Sequence, residues 1–160
     1  MANCLPANYF QSRNLRIDLN QSNQLRQTLF KEIADMYSLG IDIGYSAIKV
    51  AVLDSSNNII HSEYALHMGR ASKTLELMLE RILQQPGADQ ICCGAIMGSG
   101  SAFLVEGEKI CPVNEVAAIV EGALLLKGDC ASIIEMGGQT AKFITGFSPE
   151  NKAHVEVSMT

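Results

Sequence analysis

Apolar and polar positions fall into blocks along this chain, and the blocks change character near Ser38. Upstream, Leu25, Leu29, Ile33 and Met36 recur at helical spacing behind Ser22, a candidate N-cap. Residues 1–37 contain no glycine and are rich in Asn14, Asn20, Gln21, Asn23, Gln24 and Gln27. They read as an extension with one amphipathic helix. From Ser38 the pattern turns to strands. Leu39–Ile43 is a short apolar run ended by Gly44, residues 47–53 alternate with period two, and 54–58 form a turn by composition. Ile59–His67 makes a third strand. Leu75, Met78, Leu79, Ile82 and Leu83 then share one helix face, and Pro86-Gly87 stops that helix. Gln90–Met97 is a buried strand that runs into Gly98-Ser99-Gly100. A second helix starts near Asn114, carries Val116, Ile119, Val120, Ala123 and Leu124 on one face, and ends by Gly128. Ala131–Met136 is another buried strand, followed by β-like segments at 140–147 and 153–158. A meander followed by helices crossing between further strands predicts an α/β fold with a mixed sheet. The expected units are an extension at 1–37, a first subdomain at 38–128 and the opening of a second at 129–160. Three strands bury too little surface to stand alone, so the last segment is expected to pack on a partner or a second copy.

Composition narrows the function classes. The 160 residues carry 17 acidic against 12 basic side chains, a net charge of −5, which argues against a generic nucleic-acid backbone binder. Aromatic residues are only 6% with no Trp, so stacking platforms for single strands are not expected. No apolar run is long enough to span a bilayer, and the start lacks the basic and apolar regions of a secretory signal, so a cytoplasmic location is expected. Cys4, Cys92, Cys93, Cys111 and Cys130 form no CxxC pair and read as reduced thiols. His61, His67 and His154 offer no zinc-ligand spacing with them.

The chain repeats itself. Residues 41–52 read Ile-Asp-Ile-Gly-Tyr-Ser-Ala-Ile-Lys-Val-Ala-Val, and residues 134–145 read Ile-Glu-Met-Gly-Gly-Gln-Thr-Ala-Lys-Phe-Ile-Thr. Asp42 aligns with Glu135, Gly44 with Gly137 and Lys49 with Lys142 at one constant offset. Within one residue of that offset the turn at 54–58 meets 148–152, and at the offset itself His61 and Glu63 fall against His154 and Glu156. Each unit is a buried strand ending near an acid, a glycine turn, and a second strand opening with lysine. Glycine lets a phosphate approach backbone N–H groups closely. An acid beside a phosphate is useful chiefly with Mg²⁺ between them. Two such hairpins face to face would clamp a nucleoside triphosphate; the plain alternative is two ordinary hairpins with edge acids and solvated lysines.

These motifs resemble the actin, Hsp70 and sugar-kinase superfamily, whose halves each open with a phosphate hairpin. Gly40-Ile-Asp-Ile-Gly-Tyr-Ser-Ala-Ile-Lys49 resembles the first phosphate motif of the BadF/BadG/BcrA/BcrD-type ATPases, the activators of 2-hydroxyacyl-CoA dehydratases and benzoyl-CoA reductases. Ile134-Glu-Met-Gly-Gly-Gln-Thr-Ala-Lys142 resembles their second, where Asp-Ile-Gly-Gly-Gln-Asp-x-Lys is usual. Gly94–Gly100 is similar to the Thr-Gly-x-Gly strand end, and Asn114–Ala123 to the Glu-containing interdomain helix. The resemblance covers roughly residues 38–147. It implies an actin-like (ribonuclease H-like) half-domain of an ATP-driven, homodimeric activator that passes an electron to an acyl-CoA dehydratase or reductase. Neither nucleic acid nor membrane enters that activity.

By motif position, the resemblance implies that Asp42 and Glu135 help hold Mg²⁺. Gly44, Tyr45, Ser46 and Lys49 would line one side of the ATP or ADP phosphates, and Gly137, Gly138 and Gln139 the other. Glu115 would position a metal-bound or attacking water, or else simply complement the helix dipole. Gly98 and Gly100 would form a supporting loop, or only a turn. Tyr45 stands where the family prefers a small hydroxyl residue, Glu135 replaces Asp, and Thr140 replaces an acid. The family's first [4Fe-4S] cysteine lies in a Cys-Ala-Ala-Gly-Thr-Gly-like motif that is absent from this sequence, as is the adenosine pocket. The chain is therefore expected to be the first half of such an ATPase with the opening meander of the second, and ATP affinity is expected to be weak. A non-catalytic docking module on the same half-fold, with Tyr45 filling the phosphate site, is the rival reading. A sugar or acetate kinase is a weaker one, for want of a base to activate the acceptor.

Overall fold

The computed structural model describes residues 36–101, 110–148 and 155–159. The predicted helix behind Ser22 lies outside the described residues.

Three antiparallel strands open the fold: β1 (Tyr37–Ile43), β2 (Ala47–Leu53) and β3 (Ile59–Leu66). Helix α1 (Ala71–Leu83) follows, then a 3-10 turn at Ala88–Gln90, β4 (Ile91–Met97) and β5 (Ile110–Pro112). Helix α2 (Glu115–Leu126) leads to β6 (Ser132–Met136), β7 (Ala141–Thr145) and β8 (Glu156–Met159). The first five strands form one sheet in the order β3-β2-β1-β4-β5, and the last three a second sheet in the order β6-β7-β8. β1 pairs antiparallel with β2 but parallel with β4, and β4 pairs parallel with β5, so the larger sheet is mixed as predicted. The smaller sheet is antiparallel throughout.

Strand alternation decides which face each sheet buries. Ile41, Ile43, Ile48, Val50, Val52 and Ile96 turn to one face of the larger sheet, where Leu75, Met78 and Ile82 of α1 cover them. These three lie on the face read from the helical spacing, and the Pro86-Gly87 stop falls just beyond the last turn. Against the smaller sheet, Val120 of α2 packs on Ile144 and Phe147, with Val116, Ile119 and Leu124 around them. The other face of the small sheet leaves Ile134 and Met136 exposed. The pattern missed β5. Three residues ending in proline are too short to alternate, and parallel pairing with β4 makes the strand.

Candidate functional site

Both glycine hairpins form, and they are built alike. In the first, Asp42 on β1 stands directly across from Lys49 on β2. The Lys49 ammonium donates to the Asp42 carboxylate at 2.8 Å, and the Gly44 N–H donates to the Ala47 carbonyl at 3.0 Å to close the turn. In the second, Glu135 on β6 stands across from Lys142 on β7. The Lys142 ammonium donates to Glu135 at 2.8 Å, and the Gly137 N–H donates to the Thr140 carbonyl at 2.9 Å. The cause is the shared spacing. An acid and a lysine seven residues apart become cross-strand partners when the turn between them closes at its glycine. A Cβ on Gly44 or Gly137 would meet the carbonyl at the far side of its own turn at 3.2 Å in each case. A side chain in either turn would therefore push that carbonyl back by a few tenths of an ångström.

The two turns also meet. Gly138 lies against the side chain of Ser46: a Cβ at 138 would press into its hydroxyl and come within 3.2 Å of its Cβ. The structure thus brings 44–46 and 137–139 together, as the repeat requires for a shared anion. Tyr45 is 64% exposed and does not fill the turn it sits in.

The remaining candidates join the two turns from the side. Gly98 and Gly100 form the bend after β4, which is parallel to β1, so the bend lies against the end of β1. The Gly100 N–H donates to the Ile43 carbonyl at 3.1 Å. Gly98 has φ +95°, and a Cβ there would run into the Ile43 carbonyl and come within 2.8 Å of an Asp42 oxygen. The bend is thus part of the wall behind Asp42. Glu115 opens α2, whose N-terminus is capped by the Asn114 side chain accepting from the Ala117 N–H at 3.1 Å. Its carboxylate accepts from Lys142 at 3.1 Å. Glu115 and Glu135 are therefore held side by side by one buried ammonium. Hydrogen bonding to Glu135 raises the Lys142 pKa above its ordinary value against the opposing loss of hydration, and Glu115 adds to the rise. Gln139 belongs to the second turn.

Two contributors were not legible in the sequence. The carbonyls of Ala47 and Thr140 close the turns, and backbone groups leave no residue-type signal. His67, just past β3, donates its backbone N–H to the Ser46 carbonyl at 3.1 Å, and its ring Nε2 lies 3.2 Å from the Gly44 carbonyl. Only the β2–β3 register brings it there.

Among the described residues, no group of three or more His, Cys, Asp or Glu is placed to hold a metal ion. Mg²⁺ asks less of a protein, one or two carboxylates with water and phosphate oxygens completing its shell; the two candidate carboxylates, Asp42 and Glu135, each accept from a lysine ammonium at 2.8 Å. Of the described cysteines, Cys92 donates to the Tyr37 carbonyl and Cys130 to that of Ser132. No helix among the described residues is long and apolar enough to cross a membrane.

No protein-family model matches the chain. A search among characterised proteins finds an activator of lactoyl-CoA dehydratase from Anaerotignum propionicum, 27% identical over 111 residues, 68% of this chain and 42% of that protein. Among solved structures, the activator of the 2-hydroxyisocaproyl-CoA dehydratase from Clostridium difficile, with bound ADPNP, matches with a TM-score of 0.60 and 23% identity. That match covers 77% of this chain and 46% of the other. Component A of the (R)-2-hydroxyglutaryl-CoA dehydratase of Acidaminococcus fermentans matches with a TM-score of 0.63 and 21% identity, covering 78% and 47%. The chain spans less than half the length of these relatives. It resembles such activators in sequence and shares their actin-like fold over the part it spans.

Proposed function

We propose that this chain is the phosphate-gripping half of an ATP-driven activator acting on a 2-hydroxyacyl-CoA dehydratase or a related CoA-ester reductase. The observation that carries the reading is the pair of matched turns, each with its own acid–lysine bridge, meeting at Ser46 and Gly138. With the Gly44 and Gly137 N–H groups closing their turns, the backbone N–H groups of Tyr45, Ser46, Gly138 and Gln139 grip the phosphates from two sides, where glycine admits close approach. Lys49, with its ammonium 3.7 Å from the Cβ position of Gly44, adds positive charge at the first turn. Asp42 and Glu135 hold Mg²⁺, which when bound neutralises phosphate charge. Glu115, tied to Glu135 through Lys142, orients the attacking water. Homodimer assembly, an electron transferred to the dehydratase, and a reducing cytoplasmic setting belong to the same reading. The docking alternative is weaker, because Tyr45 stands out into solvent instead of plugging the turn.

The test is a titration of the isotope-labelled chain with magnesium tripolyphosphate, followed by amide shifts. Amides of Tyr45, Ser46, Gly138 and Gln139 move together, Asp42→Asn weakens the response at least about fivefold, worth about 1 kcal/mol, and Mg-ATP binds little tighter than tripolyphosphate. Silence at both turns would refute the proposal. Sub-micromolar ATP binding would refute its half-site character.

A further inference from the structure

Between β3 and α1 the chain makes a tight turn at residues 67–70. The Arg70 N–H donates to the His67 carbonyl at 2.7 Å, with Met68 at φ 48° and Gly69 at φ 79°. Two consecutive positive φ angles make this a primed turn, and a non-glycine residue keeps such an angle only where its surroundings demand it. Inside it the Gly69 N–H donates to His67 Nδ1 at 3.2 Å. That bond leaves the ring hydrogen on Nε2, which faces the Gly44 carbonyl at 3.2 Å. The neutral Nε2–H tautomer is the one form of the ring that makes both bonds. The His67 backbone N–H meanwhile holds the Ser46 carbonyl at 3.1 Å.

We infer that His67 is the positioning residue of the first turn: it clamps the carbonyls of Gly44 and Ser46 and thereby aims the amide N–H groups that follow them. The described chain has no cis peptide bonds. In a trans peptide plane the N–H points opposite to the C=O. With both carbonyls drawn toward His67, the Tyr45 and Ala47 N–H groups face away from it. The strained turn at 67–70 sets the ring, the ring sets the peptide plane, and the plane sets a donor for an anionic oxygen. His67 touches no phosphate itself. This inference rests on the phosphate-gripping reading.

Two substitutions divide the ring's two jobs. His67→Gln keeps an N–H donor at the reach of Nε2 and loses the Nδ1 acceptor. His67→Asn keeps an acceptor at the reach of Nδ1 and loses the donor to Gly44. Tripolyphosphate affinity is expected to stay within about threefold of the parent in His67→Gln and to fall about tenfold in His67→Asn, a loss of about 1.4 kcal/mol. In His67→Asn the Tyr45 amide order parameter drops from about 0.85 toward about 0.6, while Gly138 stays rigid. A purely structural role would lower thermal stability in both variants and leave Tyr45 order untouched. Gly69→Ala, which strains the turn that aims the ring without touching Gly44, should weaken binding in the same direction. Parent-like binding by His67→Asn, or equal losses in both His67 variants, overturns the inference. A parent chain whose Gly138 and Gln139 amides respond while Tyr45 stays silent overturns it alone; silence at both turns removes the underlying reading as well.

Discussion

Gly138→Ala tests the meeting of the two turns, because only the contact is changed. Gly138 is not among the glycines with positive φ, so alanine can adopt its backbone conformation, and the lost chain flexibility of the unfolded state alone would stabilise by about 0.4–1 kcal/mol. Against this stands the new methyl group. It would press into the Ser46 hydroxyl and reach 3.2 Å from the Ser46 Cβ. The hydroxyl can rotate away, but the Cβ moves only with its backbone, which is tied through the Ser46 carbonyl to His67. Overpacking of this kind costs about 1–3 kcal/mol, so the net expectation is a destabilisation of about 1 kcal/mol. Tripolyphosphate affinity falls with it, as the turns are wedged apart. The assay is a double-mutant cycle by urea unfolding and phosphate titration. Ser46→Gly removes both clashing atoms, so Gly138→Ala in that background should lose its penalty and keep only the entropic gain, leaving a coupling of about 1–3 kcal/mol, the whole overpacking cost. Strictly additive effects would mean that the turns do not touch in solution, and the shared-site argument would go with them.

Three further outcomes follow from the same geometry. Gly98→Ala should cost about 3 kcal/mol or more in urea unfolding, since it combines a strained φ of +95° with a collision against backbone at Ile43. Lys142→Met leaves Glu115 and Glu135 side by side without their shared ammonium and should cost about 2 kcal/mol at neutral pH, less than a fully buried pair because both acids are partly solvated. Because the folded pKa of Lys142 is raised, its contribution is fully present below the unfolded value of about 10.4 and is lost as pH rises through the folded value. The thermal midpoint of Lys142→Met should therefore vary less with pH on the alkaline side than that of the parent. Lys49→Met should cost under about 1 kcal/mol, the range of exposed ion pairs, yet weaken tripolyphosphate binding severalfold.

Much of the larger sheet was legible in the sequence because period-two alternation and a helix stop are local signals. Residues 47–53, the α1 face and the Pro86-Gly87 break needed no tertiary information. The acid–glycine–lysine repeat was legible for the same reason: hairpin closure converts a seven-residue spacing into cross-strand contact. β5 was not, because it acquires strand character only from its parallel neighbour. Nor was His67, whose role depends on the register of β2 against β3 and on a turn at Met68-Gly69 that composition alone does not distinguish from an ordinary loop. Residues that aim backbone groups are the hardest to read ahead of a structure, because what they act on has no side chain.

The duplicated hairpins share a plan but not a task. Lys49 has 49% of its side chain exposed, and among the described residues it is bridged to the one carboxylate of Asp42. Lys142 has 8% exposed and holds Glu135 and, from helix α2, Glu115. An exposed ammonium can leave its carboxylate for an incoming phosphate at little cost, because water screens both states. A buried one shared between two acids cannot, since its departure would strand both. On the phosphate-gripping proposal, the first hairpin would carry the adjustable charge and the second would serve as the fixed jaw, with α2 attached to it through Glu115. An anion that drew Lys49 off Asp42 would leave that carboxylate free for a metal ion in the same step, so anion and cation should bind to the first turn cooperatively. The second turn, with its acids already bridged, should show weaker coupling.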